Sequence, residues 1–337
     1  MDGSSSARGP RPPRGCRGPS PTSVISESPS AGSNPVSADI NRGPARIAAM
    51  PGLIESAALQ LRVAKRLAPR RGASLAERLG RLDDRLVFVV GSPRSGTTFL
   101  AGAIGSLRGF VDLGEVAPLK AAVPELVALE PNDAARRLRR ILGVARRVGL
   151  VGAVRAVEQT PELAHLVGVI PLAYPEARII HIVRDGRDVV CSLLEKPWLR
   201  REQTNSDDAG LAYGSHARFW VEPERRAEFE AATDARRAAW VWRRYVAAAR
   251  SGGVPQLNVR YERMTEDPAT VAGELGRFIG APVEPLTAAL GGAHADSVGR
   301  YRTDLSEEQL AEVLAEAGEL LRELGYVASD HTGLTPP

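Results

Sequence analysis

The chain has little cysteine, little lysine and few aromatic residues, and it has no long apolar run. Its two cysteines, Cys16 and Cys191, lie far apart. A disulfide framework is therefore not expected, and a reducing cytoplasm is the default setting. The five histidines (His165, His181, His216, His294 and His331) are scattered. No His/Cys group has zinc-ligand spacing, so no metal is expected. No apolar run approaches the roughly 20 residues that span a bilayer. The N-terminus carries no apolar segment of the secretory type, so no signal peptide is expected. There is no recognition-helix motif and no aromatic-rich binding strand, which argues against nucleic acid as a partner. Only three of the 44 basic residues are lysines, at Lys65, Lys120 and Lys196. The net charge of +4 is thus carried by guanidinium groups. These suit phosphate and sulfate, and equally a solvated basic surface.

What is present is enough for a proper core. The 337 residues are 43% hydrophobic, which allows one large domain or two small ones. Residues 1–45 are rich in Ser, Pro, Gly and Arg and are expected to be a disordered tail. Met50, just before the first helical pattern, is an alternative translation start. A single domain is expected over 46–330, with a short tail at 331–337. An arginine-rich helical pattern runs from Leu53 to Leu79.

Five short strands are predicted: 86–90 (LVFVV), 110–113 (FVDL), 154–158 (VRAVE), 178–183 (RIIHIV) and 256–261 (QLNVRY). Helical patterns are predicted at Thr97–Leu107, Asn132–Val148, Asp185 or Arg187 to Glu195, and Asp234–Arg250. A capping box at Ser306-Glu-Glu-Gln309 opens a last helix to about Leu324. Strands alternating with helices imply a parallel sheet. The expected fold is α/β, a three-layer, P-loop-like arrangement with about five parallel strands flanked by helices. Ligands gather beyond the carboxyl ends of such strands. All five predicted ends carry polar or loop-forming residues: Gly91–Thr98, Gly114-Glu115, Gln159-Thr160-Pro161, Arg184-Asp185 and Tyr261-Glu262.

The stretch GSPRSGTT, Gly91 to Thr98, nearly spells the Walker A loop, but Thr97 stands where its lysine would be. A strand, a glycine-bounded loop and a helix N-terminus form an anion site. Arg94 supplies positive charge, and Thr97 and Thr98 supply hydroxyls. Without the lysine the loop suits a magnesium-bound β,γ-phosphate pair poorly. It suits a single phosphate carrying another anionic group. A second stretch, RIIHIVRDGRDVVCS, delivers Arg184 at a strand end and Ser192 on the next helix. The two would hold a further anion, or Arg184, Asp185, Arg187 and Asp188 would simply pair locally.

GSPRSGTTFL together with IVRDGRDVVCS resembles the sulfotransferases that use 3′-phosphoadenosine 5′-phosphosulfate (PAPS), in their bacterial and protein-tyrosine branch. The resemblance covers residues 86–305. It implies that Pro93, Arg94, Ser95, Gly96, Thr97 and Thr98 hold the 5′-phosphosulfate and that Arg184 and Ser192 hold the 3′-phosphate. NVRYERM is similar to a family stretch whose tyrosine lies near the adenine, which implicates Tyr261. ADSVGRYRTDLSEEQ resembles a segment that closes over the nucleotide, which implicates Ser297 and Arg300, with Arg302 as a competitor.

The resemblance further implies sulfuryl transfer to an acceptor hydroxyl, with adenosine 3′,5′-bisphosphate (PAP) as product and no metal. The transfer needs a base within reach of the acceptor. Glu115, in the Gly-Glu pair after the second strand, is the expected base, and Arg94 the expected stabiliser of the leaving phosphate. One position departs from the family: Gln159 stands where a lysine is common. The expected acceptor is a small molecule, a carbohydrate or a lipid. Residues 118–152 and 199–237 would shape its site. The first segment holds Arg136, Arg137, Arg139, Arg140, Arg146 and Arg147, a basic helix that is either a solvated face or a surface for an anionic acceptor or a membrane. Trp198, Tyr213, Phe219 and Trp220 would line a pocket or sit in the core. The competing readings are a divergent P-loop kinase and a non-catalytic nucleotide-binding module.

Overall fold

The computed structural model describes residues 81–148, 154–200 and 219–328. The expected tails, the helical pattern at 53–79 and Tyr213 lie outside the described residues. Five strands appear: β1 (Val87–Val90), β2 (Phe110–Asp112), β3 (Arg155–Glu158), β4 (Arg178–Val183) and β5 (Leu257–Arg260). They form one parallel sheet in the order β2-β3-β1-β4-β5. Central β1 is buried at all four positions. A strand covered on both faces needs apolar residues throughout, which is why VFVV shows no alternation.

The two faces of the sheet carry separate cores. Val87 and Val89 pack with α1 (Thr97–Gly105), α6 (Pro268–Ile279) and α7 (Val283–Leu290). Phe88 and Val90 pack with α2 (Ala117–Val127), α3 (Pro131–Val148), α4 (Gly186–Leu194), α5 (Asp234–Ser251) and α8 (Glu307–Glu323). The result is the three-layer α/β fold expected from the alternating pattern. Because every strand is parallel, the five carboxyl ends lie along one edge.

Local signals set the helix ends. Thr233 caps α5 by accepting from the Arg236 N–H, and α5 stops at Gly252, before Gly253 turns to φ +61°. Ser306 and Gln309 form the reciprocal capping box of α8. On α5, Trp240 and Trp242 are fully buried. Truncating either would cost about 3–5 kcal/mol.

The basic face of α3 is largely neutralised. Arg136 pairs with Asp133, Arg137 with Glu125 and Arg139 with Asp84, while Arg146 is buried and donates to the Asp83 carbonyl. Of the other expected acceptor-pocket residues, Trp220 is core, and Phe219 and Trp198 pack against that core.

Candidate active site

The β1 loop is shaped by two residues in left-handed backbone, Arg94 at φ +68° and Gly96 at φ +95°. An added Cβ at Gly96 would lie 2.7 Å from the Tyr261 ring. Only glycine allows both the conformation and that approach. Behind the loop, α1 starts with no side-chain cap and no acidic residue in its first turn. Its first N–H groups and the positive end of its dipole therefore face the loop uncompensated. The Ser95 hydroxyl is buried with no hydrogen-bond partner among the described residues. A buried orphan of this kind costs about 1–3 kcal/mol unless a ligand meets it.

Arg184 stands at the end of β4. Its carbonyl accepts from the Trp242 indole N–H at 3.0 Å. That contact depends on Gly186, where a Cβ would sit 2.6 Å from the Trp242 ring. The guanidinium lies 4.7 Å from the Tyr261 ring centroid. One terminal nitrogen donates to the Arg94 carbonyl at 3.4 Å and the other to the Ser297 carbonyl. Its Nε is buried and without a partner among the described residues. Ser192, on α4, accepts from Arg94 Nε at 2.9 Å.

The rest of the RDGRD stretch holds this geometry in place. Asp185 accepts from the backbone of Arg187 and pairs with its side chain at 2.6 Å. Asp188 accepts from the N–H groups of Gly299 at 2.7 Å and Tyr301 at 3.0 Å. Burial raises the Asp188 pKa above its usual value, against those two donors. Tyr261 donates to the His294 carbonyl at 3.1 Å. The segment 294–301 is thus tied down by Arg184, Asp188 and Tyr261, all from strand ends or the helix after β4.

These elements enclose a cavity of about 330 Å³. Arg94, Gly96, Thr97, Thr98, Arg184, Ser192, Tyr261, Ser297 and Arg300, all named from sequence, line it. Phe99, Glu195 and His294 line it too and were not expected. Arg300 is paired with Glu195 and with Asp304 at 2.6 Å. Arg302 does not line the cavity and lies over the Tyr301 ring. Pro93 and Ser95 belong to the loop but not to the lining.

Glu115 lies outside the cavity lining, at the end of β2. Gly114, at φ +69°, donates its N–H to Asp112 and turns the chain so that Glu115 is exposed. Lys120 on α2 reaches Glu115 at 2.8 Å and Glu162 at 3.8 Å. The sequence reading missed this pair. Its signal was the rarity of lysine and a spacing of five residues into a helix. Gln159 accepts from the Thr98 hydroxyl at 3.2 Å, which joins the β3 end to the loop. Beneath it Glu158 is fully buried and accepts from the Thr160 N–H and hydroxyl. Burial pushes the Glu158 carboxyl up to about 8 despite those donors. Thr160 in turn accepts from the Val116 N–H at 3.1 Å, next to Glu115.

The donor set along this edge is chemically that of a site for two anions. One faces a helix N-terminus with hydroxyls, and one faces guanidinium groups and Ser192. Among the described residues no His/Cys/Asp/Glu group is arranged to hold a metal ion. No described helix is long and apolar enough to cross a membrane.

An uncharacterized protein of Aquifex aeolicus (strain VF5) is 27% identical over 222 residues, 61% of this chain. The chain spans about a quarter of that protein, 26% of its length. A sulfotransferase domain from the olefin synthase of Synechococcus PCC 7002 has a TM-score of 0.44 at 15% identity, covering 72% of this chain and 95% of that one. A sulfotransferase of Mycobacterium avium has 0.41 at 14%, covering 80% and 84%. A mouse sulfotransferase complexed with PAP has 0.40 at 16%, covering 75% and 92%. The model of the sulfotransferase family matches residues 119–285, from the first turn of α2 through β4 and α4 to the start of α7. That stretch contains Arg184 and Ser192, and the Gly91–Thr98 loop lies before it.

Proposed function

We propose that the protein is an enzyme that transfers the sulfuryl group of PAPS to an acceptor hydroxyl and releases PAP. The observation that carries this reading is the single cavity in which the α1 loop faces Arg184 and Ser192. It matches a nucleotide with an anionic group at each end. The residues present fit such a ligand. Ser95 Oγ and Arg184 Nε are buried polar atoms without partners among the described residues, and glycine at position 96 lets the Tyr261 ring pack against the loop.

When bound, PAPS supplies an activated sulfuryl group, and the chain supplies position and charge. Sulfuryl transfer parallels phosphoryl transfer, in which positioning and electrostatics do most of the catalytic work. The loop N–H groups and the Thr97 and Thr98 hydroxyls would bind the end that reacts. Arg184 and Ser192 would bind the 3′-phosphate, and Tyr261 would lie against the base. Glu115 would take the acceptor proton. Lys120 keeps the Glu115 carboxylate oriented and supplies a cation at the end of the site where Gln159 is neutral. The acceptor is a hydroxyl of a small molecule, carbohydrate or lipid.

The test is transfer of labelled sulfuryl from PAPS to a panel of phenols, sugars and hydroxylated lipids, with magnesium chelated. Transfer to at least one acceptor class is expected. Tight PAP binding with no transfer to any class would leave a nucleotide-binding module instead. Phosphoryl transfer from magnesium-ATP would make it a kinase.

A further inference from the structure

One residue of the cavity lining carries a charge that opposes an anionic ligand. Among the described residues around the cavity, Glu195 is the single carboxylate, beside three arginines. It forms the C-terminal cap of α4, three residues after Ser192. Positions three apart share a helix face, so Glu195 belongs to the Ser192 side of the cavity. It pairs with Arg300, which Asp304 also holds at 2.6 Å. The backbone around Arg300 is fixed, because Asp188 accepts from the N–H groups of Gly299 and Tyr301. The Arg300 side chain is held less firmly. It is 26% exposed and the Glu195 side chain 49%. Exposed ion pairs of this kind contribute little, so an incoming anion can displace one.

From this geometry we propose that Glu195 is a positioning residue that limits nucleotide affinity, because it competes with the second phosphate for Arg300. The proposal rests on the sulfonucleotide reading above and adds to it a control on how tightly the nucleotide is held. In the free protein, Glu195 and Asp304 together neutralise Arg300. When a nucleotide with a second phosphate enters, Arg300 exchanges the Glu195 carboxylate for that phosphate, while the Asp188 contacts keep the chain in place. The competition is over charge and position, not over the number of donors. A guanidinium has five N–H groups, and the two carboxylates engage Nε and Nη2. A phosphomonoester carries about −1.5 to −2 at neutral pH. It attracts the guanidinium and repels the carboxylate, so both forces open the same pair. The pair also favours release, since Glu195 takes Arg300 back as the phosphate leaves. Product release limits turnover in many enzymes, and PAP keeps its second phosphate throughout.

The test is calorimetric titration of the full chain with PAP and 5′-AMP, comparing wild type with Glu195→Gln and Asp304→Asn. Glutamine keeps the size of Glu195 and removes its charge. Asp304 pairs with Arg300 but does not line the cavity, so Asp304→Asn reaches the ligand through Arg300. Thermal unfolding checks that each variant folds, and Glu195→Ser serves if Glu195→Gln does not. The expected result for Glu195→Gln is PAP bound about three- to tenfold more tightly, the scale of a released exposed ion pair plus a removed like charge. Asp304→Asn gives a gain of the same sign, about two- to fivefold. Affinity for 5′-AMP, which lacks the second phosphate, changes by less than about twofold in either variant. Unchanged or weaker PAP binding by Glu195→Gln would overturn the proposal. So would a gain with Glu195→Gln and none with Asp304→Asn, the mark of plain repulsion, or an equal gain for 5′-AMP. If wild type itself fails to prefer PAP over 5′-AMP, the parent reading falls. That result is independent of either variant.

Discussion

The two halves of the carboxyl edge are built on opposite electrostatic plans. At the ends of β1, β4 and β5, Arg94 and Arg184 have no carboxylate partner among the described residues, and the α1 N-terminus is uncapped. At the ends of β2 and β3, Glu115, Lys120 and Glu162 are linked by ion pairs, and Glu158 is buried under Thr160 donors. On the proposed reading the first half is completed by the anionic groups of its ligand. The second is complete by itself and holds a carboxylate in a set orientation. The proposed nucleotide site and the proposed base site would differ in this way, because one must gain charge from its ligand while the other must keep its own geometry until the acceptor arrives.

The largest test of this contrast is Glu115→Gln. It should lower sulfuryl transfer by about 10²–10⁴-fold, the usual contribution of a general base, and leave PAP affinity unchanged. Steady-state transfer beside calorimetry checks both, and a parallel loss in PAP affinity would erase the distinction between the halves. Next comes Gly96→Ala, which forces a Cβ into the Tyr261 ring at positive φ. It should cost about 2–4 kcal/mol of stability from strain and overpacking. Urea unfolding would register that loss, and binding of PAP and 5′-AMP should fall together.

Arg184→Gln should be more selective. PAP affinity falls by about 10–100-fold, the scale of a lost hydrogen bond to a charged group, and 5′-AMP affinity changes far less. Comparable losses for both nucleotides would mean that Arg184 does not discriminate the second phosphate.

The smallest effect sharpens the β3 side through pH. Glu158 has a folded pKa of about 8, above its ordinary 4.5. An acid raised on folding holds its proton in the folded state while the unfolded chain has lost it. Stability from this group is therefore highest below 4.5 and falls as the pH climbs from 4.5 to about 8. Buried His165 and His181 act in the opposite direction, lowered to about 3 and about 4. The unfolded chain protonates them first, so their contribution is lost as the pH falls below 6.5. Glu158→Gln should flatten the fall between pH 4.5 and about 8 and leave the histidine contribution unchanged, and chemical denaturation at pH 5, 6.5 and 8 measures it. An unchanged slope would remove Glu158 as its source.

Much of this fold was legible because its strands are short, apolar and followed by recognisable turns. All five strand predictions agree with the structure to within one residue at each end. The β4 reading matches at both ends. Loop and helix punctuation was equally readable at α5 and α8, where Thr233, Gly253 and the Ser306–Gln309 box are local signals. What was not read required three dimensions or lacked a clean period. Helix α2 contains Pro124 inside it, and that residue hid the helix. Helix α6 did carry signals, an Asp267 cap and Gly280 in left-handed backbone, which the sequence reading passed over. The Glu115–Lys120 pair and the hold of Asp188 on Gly299 and Tyr301 depend on how distant segments meet. The two motifs did predict which side chains converge, but not that Arg94 would turn toward Ser192. A loop motif specifies backbone, and the reach of a long side chain is decided by its neighbours.

The central claim is that the electrostatically unfinished half of the edge is a site for a nucleotide bearing both a 5′ and a 3′ anionic group. Calorimetric titration of the wild-type chain with PAP, beside AMP and ADP, with and without magnesium, tests it most directly. The account predicts magnesium-independent binding of PAP, with clear loss for AMP and for ADP. Equal binding of AMP, or a preference for magnesium-ADP, would contradict it.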